Sequence, residues 1–360
     1  MVEQDKLEAF ISSAARVSTR HMTLPILQYV LLEVKNNSLV IRATNLEVGV
    51  EGEIPAIVKE GGSVAVQTQT LLQIISLLQT KKITLKEENN TLVVETPSSK
   101  TKLNTISVSE FPTIPKIKTG SQNINKTLFS IGIKTAAFAA SQTSIKPELG
   151  SVYIYQKKEH TLTFVATDSF RLMEKVVPQK GVVLQNPLLI PHKNALEFAR
   201  VCDVFEGEPI LLVDENQCAL QFPNFYITSR LVNGSFPDYE GIIPKEYSTH
   251  TTLLTNDLGG AFKKTGVFLN KFMQVTLAAT KTSLIVRAQS GDVGETEEVI
   301  PASTDGDDIK LSFNQRYIQE ALPHIIDDSI ILSFAGVGRP LVINGVHDKT
   351  LRYLVMPMNK

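Results

Sequence analysis

An aspartate, a serine and a histidine that could form a nucleophilic catalytic set occur in the middle third of the chain. Asp168 and Ser169 are adjacent, and His192 follows them. A serine hydroxyl, an imidazole and a carboxylate within hydrogen-bond reach of one another can catalyse acyl transfer. No spacing in the sequence places these side chains together, and six scattered histidines are typical of surface or packing residues. We therefore expect the protein not to be an enzyme.

Motifs of other chemistries are also missing from the sequence. There is no phosphate-binding GxxxxGK[ST], no strand-linked GxGxxG, no GxSxG elbow and no HExxH helix. The GVGRP segment at residues 336–340 is predicted to be a hairpin turn. Cys202 and Cys218 do not form a CxxC pair, so neither a disulfide framework nor a zinc site is indicated. The sequence therefore predicts no metal and no cofactor.

The composition restricts the class of protein. The 360 residues include 36 basic and 37 acidic side chains, which argues against holding nucleic acid by bulk charge attraction. An apolar fraction of 42% is ample for packed cores. No apolar run approaches the roughly 18 residues of a membrane span, and the first residues lack the pattern of a signal peptide. We expect a cytoplasmic protein that does not associate with membranes.

The elements that must position these residues are organised as a threefold repeat. Ala43, Ala166 and Ala288 occupy matching positions, at intervals of about 120 residues. Each copy divides again into two similar units, in which a helix accompanies antiparallel strands. The sequence therefore predicts an α+β fold of three tandem domains, at residues 1–120, 121–246 and 247–360.

Helices are predicted from the apolar periodicity within each copy. Residues 6–17 place their apolar side chains on nearly one helical face. In the third copy, Asn256 or Asp257 is predicted to cap the matching helix by accepting a backbone N–H. The last helix is predicted to break or kink at Pro323, because the proline ring clashes with the preceding turn.

Sheet edges left unpaired at the two ends of such an array favour pairing with another chain. Head-to-tail closure of two chains predicts a ring of domains lined by helices. With helices about 10 Å wide, the opening is roughly 28 Å across, and duplex DNA fits through it. Basic side chains that all face inward are compatible with the neutral overall charge.

Several segments carry a specific resemblance over essentially the full length. They are TLPIL (23–27), ATNLEV (43–48), FVATDSFRL (164–172), FYITSRLVNGSFPDYEGIIPK (225–245), LSFNQRYI (311–318) and LVMPMNK (354–360). With the triple repeat, they resemble the bacterial sliding clamp family, the beta subunit of DNA polymerase III. The resemblance implies a homodimeric ring that encircles double-stranded DNA without reading its sequence and tethers the replicative DNA polymerase. It also implies a clamp-loader ATPase complex and repair, ligase and translesion proteins as partners.

The resemblance further implies a groove between the second and third domains that binds a short linear peptide of these partners. FVATDSFRL forms part of it, LVMPMNK supplies the other wall, and Arg171 is a polar contact. The implied groove residues are Leu149, Thr167, Ser169, Phe170, Arg171, Leu172, Pro237, Ile242, Leu354, Met356, Pro357 and Met358.

General turn chemistry offers another interpretation of the same residues. Asp168 would bond the backbone, and Arg171 would form a surface ion pair. Met356 and Met358 either present an adaptable apolar surface or fill a core. Pro357 cannot donate to a sheet ladder and is therefore expected on an edge strand.

Four positions depart from the family pattern. Ser169 and Phe170 stand where Gly-His is usual, and Gly241 and Asn359 stand where basic residues are common. We expect the apolar subsites to be retained and the polar contacts with a partner's peptide to differ.

Basic residues on helices and nearby loops are the implied DNA-facing groups. They are Arg16, Arg20, Lys81, Lys82, Lys134, Lys146, Lys193, Arg200, Lys263, Lys264 and Arg316. An ordinary solvated charge is the alternative at each position. Pro147 and Glu148 stand where some relatives have paired tyrosines, and Gln69 where a basic residue is common. These losses keep a second hypothesis open, a peptide-binding scaffold that never loads onto DNA.

Overall fold

The computed structural model describes residues 1–18, 23–143 and 145–358. Arg20 and Asn359, which the sequence singled out, lie outside these ranges. The chain forms two compact units, the first made of Met1–Ser130, Gln179–Val183 and Lys193–Val232, the second of Ile131–Pro178, Leu184–His192 and Asn233–Lys360. In the part of the chain that is described, no helix combines the length and apolar character needed to cross a membrane.

Each half of each repeat supplies one α-helix, as the sequence predicts. Within the described ranges these helices are α1 (Gln4–Val17), α2 (Thr68–Leu77), α3 (Lys126–Ala137), α4 (His192–Val204), α5 (Thr255–Thr265) and α6 (Gln315–Ala321). In α1, Leu7, Ile11 and Ala14 are fully buried on one face, because apolar residues recur there at helical spacing.

One 12-stranded sheet belongs to the first unit. Its strands are β1 (Val2–Glu3), β2 (Tyr29–Lys35), β3 (Ser38–Thr44), β4 (Val48–Pro55), β5 (Ser63–Gln67), β6 (Lys82–Glu88), β7 (Thr91–Glu95), β8 (Lys100–Ile106), β9 (Gln122–Asn123), β14 (Ile210–Val213), β15 (Gln217–Gln221) and β16 (Phe225–Arg230). Strands of the first and second repeats join where β4 pairs antiparallel with β16, and Val48 lies opposite Ser229.

Two sheets belong to the second unit, one of 9 strands and one of 4 strands. The larger contains β10 (Ser151–Tyr155), β11 (Thr161–Thr167), β12 (Arg171–Pro178), β13 (Leu188–Pro191), β17 (Thr249–Leu254), β21 (Ser303–Gly306), β23 (Ser329–Phe334), β24 (Leu341–Gly345) and β25 (Leu351–Val355). The smaller contains β18 (Gln274–Ala279), β19 (Ser283–Ser290), β20 (Gly294–Pro301) and β22 (Ile309–Asn314). Strands of the second and third repeats join where β12 pairs with β25.

The hairpins of the three repeats share one register, which confirms the repeated fold. Pro55 of β4, Pro178 of β12 and Pro301 of β20 each lie opposite the first residue of the preceding strand. A strand in each second half runs directly into a helix, and β23 and β24 flank the predicted GVGRP turn.

Aromatic packing supports the junction in the first unit. The ring centroid of Phe10 on α1 lies 5.0 Å from that of Phe205 and 5.6 Å from that of Phe225, both edge-to-face. Gly52 on β4 makes this approach possible, because a Cβ there would lie 1.9 Å from the Phe10 ring.

Two expectations about helix ends have opposite outcomes. The predicted cap of α5 by Asn256 or Asp257 is wrong, because the helix starts directly after β17 and both residues lie inside its first turn. Thr255 at this junction donates its hydroxyl to the Asp327 carbonyl oxygen at 2.9 Å. The predicted break at Pro323 is confirmed, since α6 ends at Ala321 and the proline lies in a 3-10 turn, Leu322–His324.

Candidate functional site

The turn between β11 and β12 is held by the side chains of its own residues. The Thr167 hydroxyl donates to the Arg171 carbonyl oxygen at 2.6 Å and accepts from the Ser169 N–H at 3.1 Å. Asp168 Oδ1 accepts from the N–H groups of Phe170 and Arg171, both at 3.0 Å. Ser169 has a φ of 77°, a left-handed conformation that favours glycine. The side-chain bonds therefore fix a turn that the backbone alone would not favour here.

Arg171 is buried at the base of this turn, with 8% of its side chain exposed. Its Nε donates to Asp168 Oδ2 at 2.9 Å, its Nη1 to Glu320 and its Nη2 to the Phe138 carbonyl oxygen at 3.0 Å. The guanidinium also lies over the Tyr317 ring, 4.7 Å from its centroid. The backbone role predicted for Asp168 is confirmed, but the predicted surface ion pair is wrong, because Glu320 and Phe138 enclose Arg171.

The ion pairs shift the pKa values of Arg171 and Glu320. Burial alone would lower the pKa of Arg171, but its hydrogen bond with Glu320 and the nearby Tyr353 and Asp168 raise it. Burial alone would raise the pKa of Glu320, but hydrogen bonds from Arg171 and Arg316 hold it below its ordinary value. Both groups are therefore charged throughout the neutral range.

The three residues considered as a catalytic set have separate partners. His192 Nδ1 lies 2.9 Å from the Gly150 carbonyl oxygen, and its Nε2 lies 3.1 Å from Gln142 Oε1. Asp168 bonds the turn and Arg171, and Ser169 contributes its backbone N–H to the same turn. The imidazole thus has backbone and amide partners rather than a serine and a carboxylate.

A buried apolar cluster lies beneath the turn. It contains Val165, Leu172, Tyr239, Val342 and Leu354. Leu172 of β12 lies directly opposite Leu354 of β25, and their side chains are 1% and 2% exposed. These two predicted groove residues therefore form the floor beneath the surface.

The C-terminal segment runs beside the turn. Met356 N–H donates to the Phe170 carbonyl oxygen at 2.8 Å, and Met358 N–H donates to the Ser312 carbonyl oxygen at 2.8 Å. Pro357 lies past the end of β25 rather than on an edge strand, which corrects the expectation. The strand ends at Val355, and a proline cannot extend its hydrogen-bonded ladder.

Accessibility divides the predicted groove residues into three groups. Phe170, Ile242 and Met356 are large apolar side chains that are 60%, 50% and 36% exposed. Ser169 and Pro237 are also exposed, whereas Pro357 and Met358 are half-buried. Leu149 and Thr167 are buried at 9% and 6%. Because neither methionine is buried, the alternative in which Met356 and Met358 fill a core is not supported.

Several residues of this surface were missed by the sequence reasoning. Partly buried apolar side chains that pack on the cluster are Tyr153, Tyr155, Phe236, Ile243 and Tyr247. Phe236 stacks on Tyr153 with ring centroids 4.7 Å apart. The signal available in the sequence was the closely spaced aromatic residues in VYIY and in FPDYEGIIPKEY.

A hydrogen-bonded polar network lies next to these aromatic rings. The Tyr239 hydroxyl donates to Glu174 Oε2 at 2.5 Å, and the Tyr155 and Tyr239 hydroxyl oxygens are 2.7 Å apart. Burial and the hydrogen bond with Glu174 raise the pKa of Tyr239 well above its ordinary value. Lys157 and Glu240 form an exposed ion pair at 2.5 Å close to the same network.

The described candidates for DNA-facing residues in the first unit lie on α1, on α4 and at the start of β6. Lys81, Lys82 and Lys193 are exposed. Glu197 on α4 lies 3.8 Å from Arg16 and accepts from Arg200 at 2.9 Å. One carboxylate therefore brings two of the predicted cations together.

The candidates in the second unit lie on α3, α5, α6 and a loop. Lys134, Lys146 and Lys263 are exposed. Lys264 pairs with Glu298 at 2.7 Å, and Arg316 pairs with Glu320 at 2.6 Å. Exposed pairs of this kind exchange readily with other anions, because each contributes little free energy.

Neither thiol offers a reactive group. Cys202 and Cys218 are buried, at 2% and 0% exposure, and burial raises the pKa of the Cys218 thiol. Among the residues that the structure describes, no group of three or more His, Cys, Asp or Glu side chains could hold a metal ion. The candidate site thus combines exposed apolar side chains, a buried apolar cluster and the turn held by Asp168 and Arg171.

Comparisons with protein families match the chain in three consecutive parts. Models of the DNA polymerase III beta subunit match with the N-terminal domain at residues 1–115, the central domain at 123–238 and the C-terminal domain at 240–359. Together the three matches span nearly the whole chain.

Individual relatives agree with these matches. The beta sliding clamp of Vibrio cholerae is 27% identical over 345 residues, with 93% of each chain covered. The beta sliding clamp homolog GriR of Streptomyces muensis is 26% identical over 366 residues, covering 99% of this chain and 98% of the relative.

Solved structures are similar over the whole length. The DNA polymerase III beta subunit of Pseudomonas aeruginosa has a TM-score of 0.93 at 25% identity, covering 100% of this chain and 99% of that chain. A sliding clamp of the same organism bound to griselimycin also has a TM-score of 0.93 at 25% identity, with 100% and 98% covered.

Proposed function

The chain belongs to the DNA polymerase III beta-subunit family of bacterial sliding clamps, and we propose that two copies close head-to-tail around DNA and hold partners by a short peptide. A clamp is a processivity factor rather than an enzyme. Because it tethers a polymerase to the template, each rebinding event is intramolecular, so weak peptide docking suffices.

The observation that carries the peptide groove is the exposed apolar rim beside the Arg171 turn. Phe170, Ile242 and Met356 leave much of their apolar surface in water, although they adjoin buried hydrophobic side chains. Exposed apolar patches of this kind mark interaction sites. Methionine side chains fit many shapes, as a clamp with several partners requires.

Peptide binding can be tested with short overlapping peptides from the catalytic subunit of a bacterial DNA polymerase III. We expect the Met356→Ala, Met358→Ala double variant to weaken the tightest peptide about tenfold or more, as loss of pocket anchors does. Val337→Ala is a matched control, because Val337 is also apolar and 87% exposed. Equal affinity of the double variant and the wild type would show that the groove lies elsewhere.

Ring closure is supported by the strand pairing within the two units. β4 of the first repeat pairs with β16 of the second, and β12 of the second pairs with β25 of the third. By the same repeat, β20 of the third repeat should pair with the equivalent strand of the first, which is β8. β20 is an edge strand of its sheet. β8 pairs with β5 only through Thr105 and Ile106, which leaves residues 100–104 open on that side to β20 of a second copy.

The repeat also predicts the register of this pairing and its charges. In this repeat β20 is equivalent to β4, and β8 is equivalent to β16. If β20 and β8 pair in the register of β4 and β16, Glu295 lies opposite Lys102 and Glu297 lies opposite Lys100. Opposite charges directly across an antiparallel pair contribute roughly 0.2–1 kcal/mol each. The acidic strand β20 and the basic strand β8 are therefore complementary, whereas two β20 strands or two β8 strands would repel each other.

An apolar contact is expected beside these charged strands. In the second unit Phe138 stacks on His324, with ring centroids 4.5 Å apart. Val267, which follows α5 in the third repeat, is equivalent to Phe138. Leu77, at the end of α2 in the first repeat, is equivalent to His324. The side chains of Val267 and Leu77 are 64% and 78% exposed. Closure would bury Val267 of one copy against Leu77 of the other, which explains why both are exposed in a single chain.

A charge exchange tests the ring without relying on loss of folding. Lys100→Glu, Lys102→Glu chains should be monomeric, and so should Glu295→Lys, Glu297→Lys chains, because each homodimer has like charges at both interfaces. A mixture of the two variants has opposite charges at both interfaces and should form a dimer. The measurement is mass in solution by light scattering. Dimers of either single variant, or no dimer in the mixture, would contradict this interface.

Encirclement of DNA is tested by topology rather than affinity. We expect the loaded dimer to remain on circular DNA and to leave when the DNA is cut, because a ring is held mechanically. Equal loss from circular and linear DNA would instead favour the scaffold that never loads. A clamp-loader ATPase complex supplies the loading step in this proposal, and repair, ligase and translesion proteins share the same groove.

A further inference from the structure

We propose that Tyr239 is a positioning residue of the peptide groove, because its hydroxyl fixes the loop that presents Pro237 and Ile242. This inference rests on the proposed function and goes beyond it, since Tyr239 itself is only 5% exposed and offers no surface to a peptide. The loop comprises residues 233–248, which form most of the connection between β16 and β17.

Side chains attach this loop to the sheet on which the apolar cluster lies. Tyr239 is part of the buried cluster, and Phe236 and Ile243 pack against it. Between these anchors, Ile242 is 50% exposed and Pro237 is exposed. The hydrogen bonds within the loop are local, from Ile242 N–H to the Tyr239 carbonyl oxygen at 3.2 Å and from Ile243 N–H to the Glu240 carbonyl oxygen at 3.3 Å. The position of the exposed pair is thus set by the anchors on either side.

The network around Tyr239 has one consistent direction for its protons. Tyr239 has a single hydroxyl proton, and Glu174 Oε2 accepts it at 2.5 Å. Tyr239 therefore cannot donate to Tyr155, so Tyr155 is the donor in the 2.7 Å bond between the two hydroxyls, and Glu240 Oε1 is a second, more distant acceptor for it at 3.4 Å. Glu174 belongs to β12, and 9% of its side chain is exposed, with Arg352 at 3.7 Å. A charge-assisted bond to a buried carboxylate is stronger and more directional than a neutral one, and this suits an anchor.

A peptide that contacts Ile242 and Pro237 needs them at a fixed distance from Met356. If the loop occupies that position for only a fraction of the time, the apparent affinity falls by the same fraction. Packing of Phe236 and Ile243 alone does not fix the loop direction, because apolar contacts are not directional. The Tyr239 hydroxyl supplies that direction in the buried part of the loop, whereas the bond from Lys157 to Glu240 at 2.5 Å is exposed to solvent and contributes little.

The test compares Tyr239→Phe with Tyr29→Phe. Both changes remove one tyrosine hydroxyl, but Tyr29 lies on β2 of the first unit and is not part of the groove. The probe is the tightest of the overlapping polymerase peptides, with binding measured by surface plasmon resonance. We expect Tyr239→Phe to weaken it about tenfold or more, a loss in the range of one charge-assisted hydrogen bond, through slower association. Tyr29→Phe should bind as the wild type does.

Hydrogen exchange of the full-length protein gives a second readout that needs no peptide. We expect amides of residues 236–243 to exchange faster in Tyr239→Phe, while those of β12 and β25 remain protected. Glu174→Gln should keep the loop protected, because the amide oxygen still accepts from Tyr239, whereas Glu174→Ala should not.

The outcomes separate this inference from the groove itself. If the wild type binds none of the peptides, the proposed groove fails, and exchange of the loop still decides the role of Tyr239. Unchanged loop exchange in Tyr239→Phe overturns the positioning role whatever the peptide does. Unchanged peptide affinity with a faster-exchanging loop overturns it as well, because the loop would then not govern binding.

Discussion

Thr44 and Thr167 make the same two hydrogen bonds in equivalent turns of two repeats. The Thr44 hydroxyl donates to the Val48 carbonyl oxygen at 2.9 Å and accepts from the Leu46 N–H at 3.0 Å, as Thr167 does with Arg171 and Ser169. Leu46 is left-handed with φ 74°, like Ser169. The turn is therefore common to the repeats, and Arg171 distinguishes the second copy from the first.

Loss of Arg171 should destabilise the protein. Arg171→Ala leaves Asp168 and Glu320 without their buried cation, so we expect the free energy of unfolding to fall by about 2–4 kcal/mol. Arg316→Ala removes the other cation of Glu320 at a site where 68% of the side chain is exposed, and it should cost less than about 1 kcal/mol. Urea denaturation measures both. A similar loss in the two variants would mean that burial of Arg171 adds no stability.

Glycine at position 169 should stabilise the turn. Ser169→Gly removes the strain of a left-handed residue that has a Cβ, but glycine also gives the unfolded chain more entropy. We expect the free energy of unfolding to rise by up to about 1 kcal/mol as the net result. Ser98→Gly is the control, since Ser98 does not have a positive φ; it should lose about 0.5–1 kcal/mol. If the denaturation midpoints of both variants shift in the same direction, Ser169 is not strained in the folded protein.

Two glycines in helices should respond in opposite ways to alanine. A Cβ on Gly132 of α3 would lie 2.5 Å from the buried Phe164 ring, whereas none of the neighbouring atoms lies within 4 Å of a Cβ on Gly260 of α5. We expect Gly132→Ala to cost about 1–3 kcal/mol through overpacking and Gly260→Ala to gain about 0.5–1 kcal/mol through helix propensity. Thermal unfolding of both variants checks the sign of each change.

Acid should remove the stability that Glu320 contributes. The pKa of Glu320 is lower in the folded protein than in the unfolded chain, so its contribution is complete above the unfolded pKa, about 4.3. It is lost as the pH falls from there through the folded pKa. We expect Glu320→Gln to lose less stability than the wild type between neutral pH and about pH 3, measured by urea midpoints. Parallel curves for the two proteins would exclude this role.

Reversal of two lysines on α5 should slow loading onto DNA. Lys263→Glu, Lys264→Glu places negative charge where the proposed ring faces phosphates, so the rate of loading onto circular DNA should fall. The salt dependence of loading should remain shallow, because few phosphates are neutralised. Lys86→Glu is the control, since Lys86 is exposed and paired with Glu95 at 2.7 Å. If the lysine reversals on α5 and on β6 have the same effect, then α5 does not face DNA.

The repeated architecture could be predicted from the sequence because apolar periodicity and turn residues are local signals. The buried state of Arg171 could not, because Glu320 lies 149 positions away. The cap of α5 was mispredicted because β17 continues to Leu254 and the helix starts at Thr255, so Asn256 and Asp257 lie inside its first turn. The turn at Thr167 was recognised from its own residues, whereas the anchoring of the 233–248 loop depends on Glu174 in a different strand. The division into domains at 120/121 and 246/247 and the roles of individual groove and DNA-facing residues stay predictions.

The burial of both native thiols makes the protein a convenient subject for site-directed labelling. Cys202 and Cys218 are shielded from solvent, so a maleimide dye would react with a cysteine introduced at an exposed position before it reached either of them. Cysteines in place of Ser98 and Val293, exposed positions just before β8 and β20, would carry a donor and an acceptor across each proposed seam without entering the contact itself. The opening of a single ring could then be followed by fluorescence without first replacing the native cysteines.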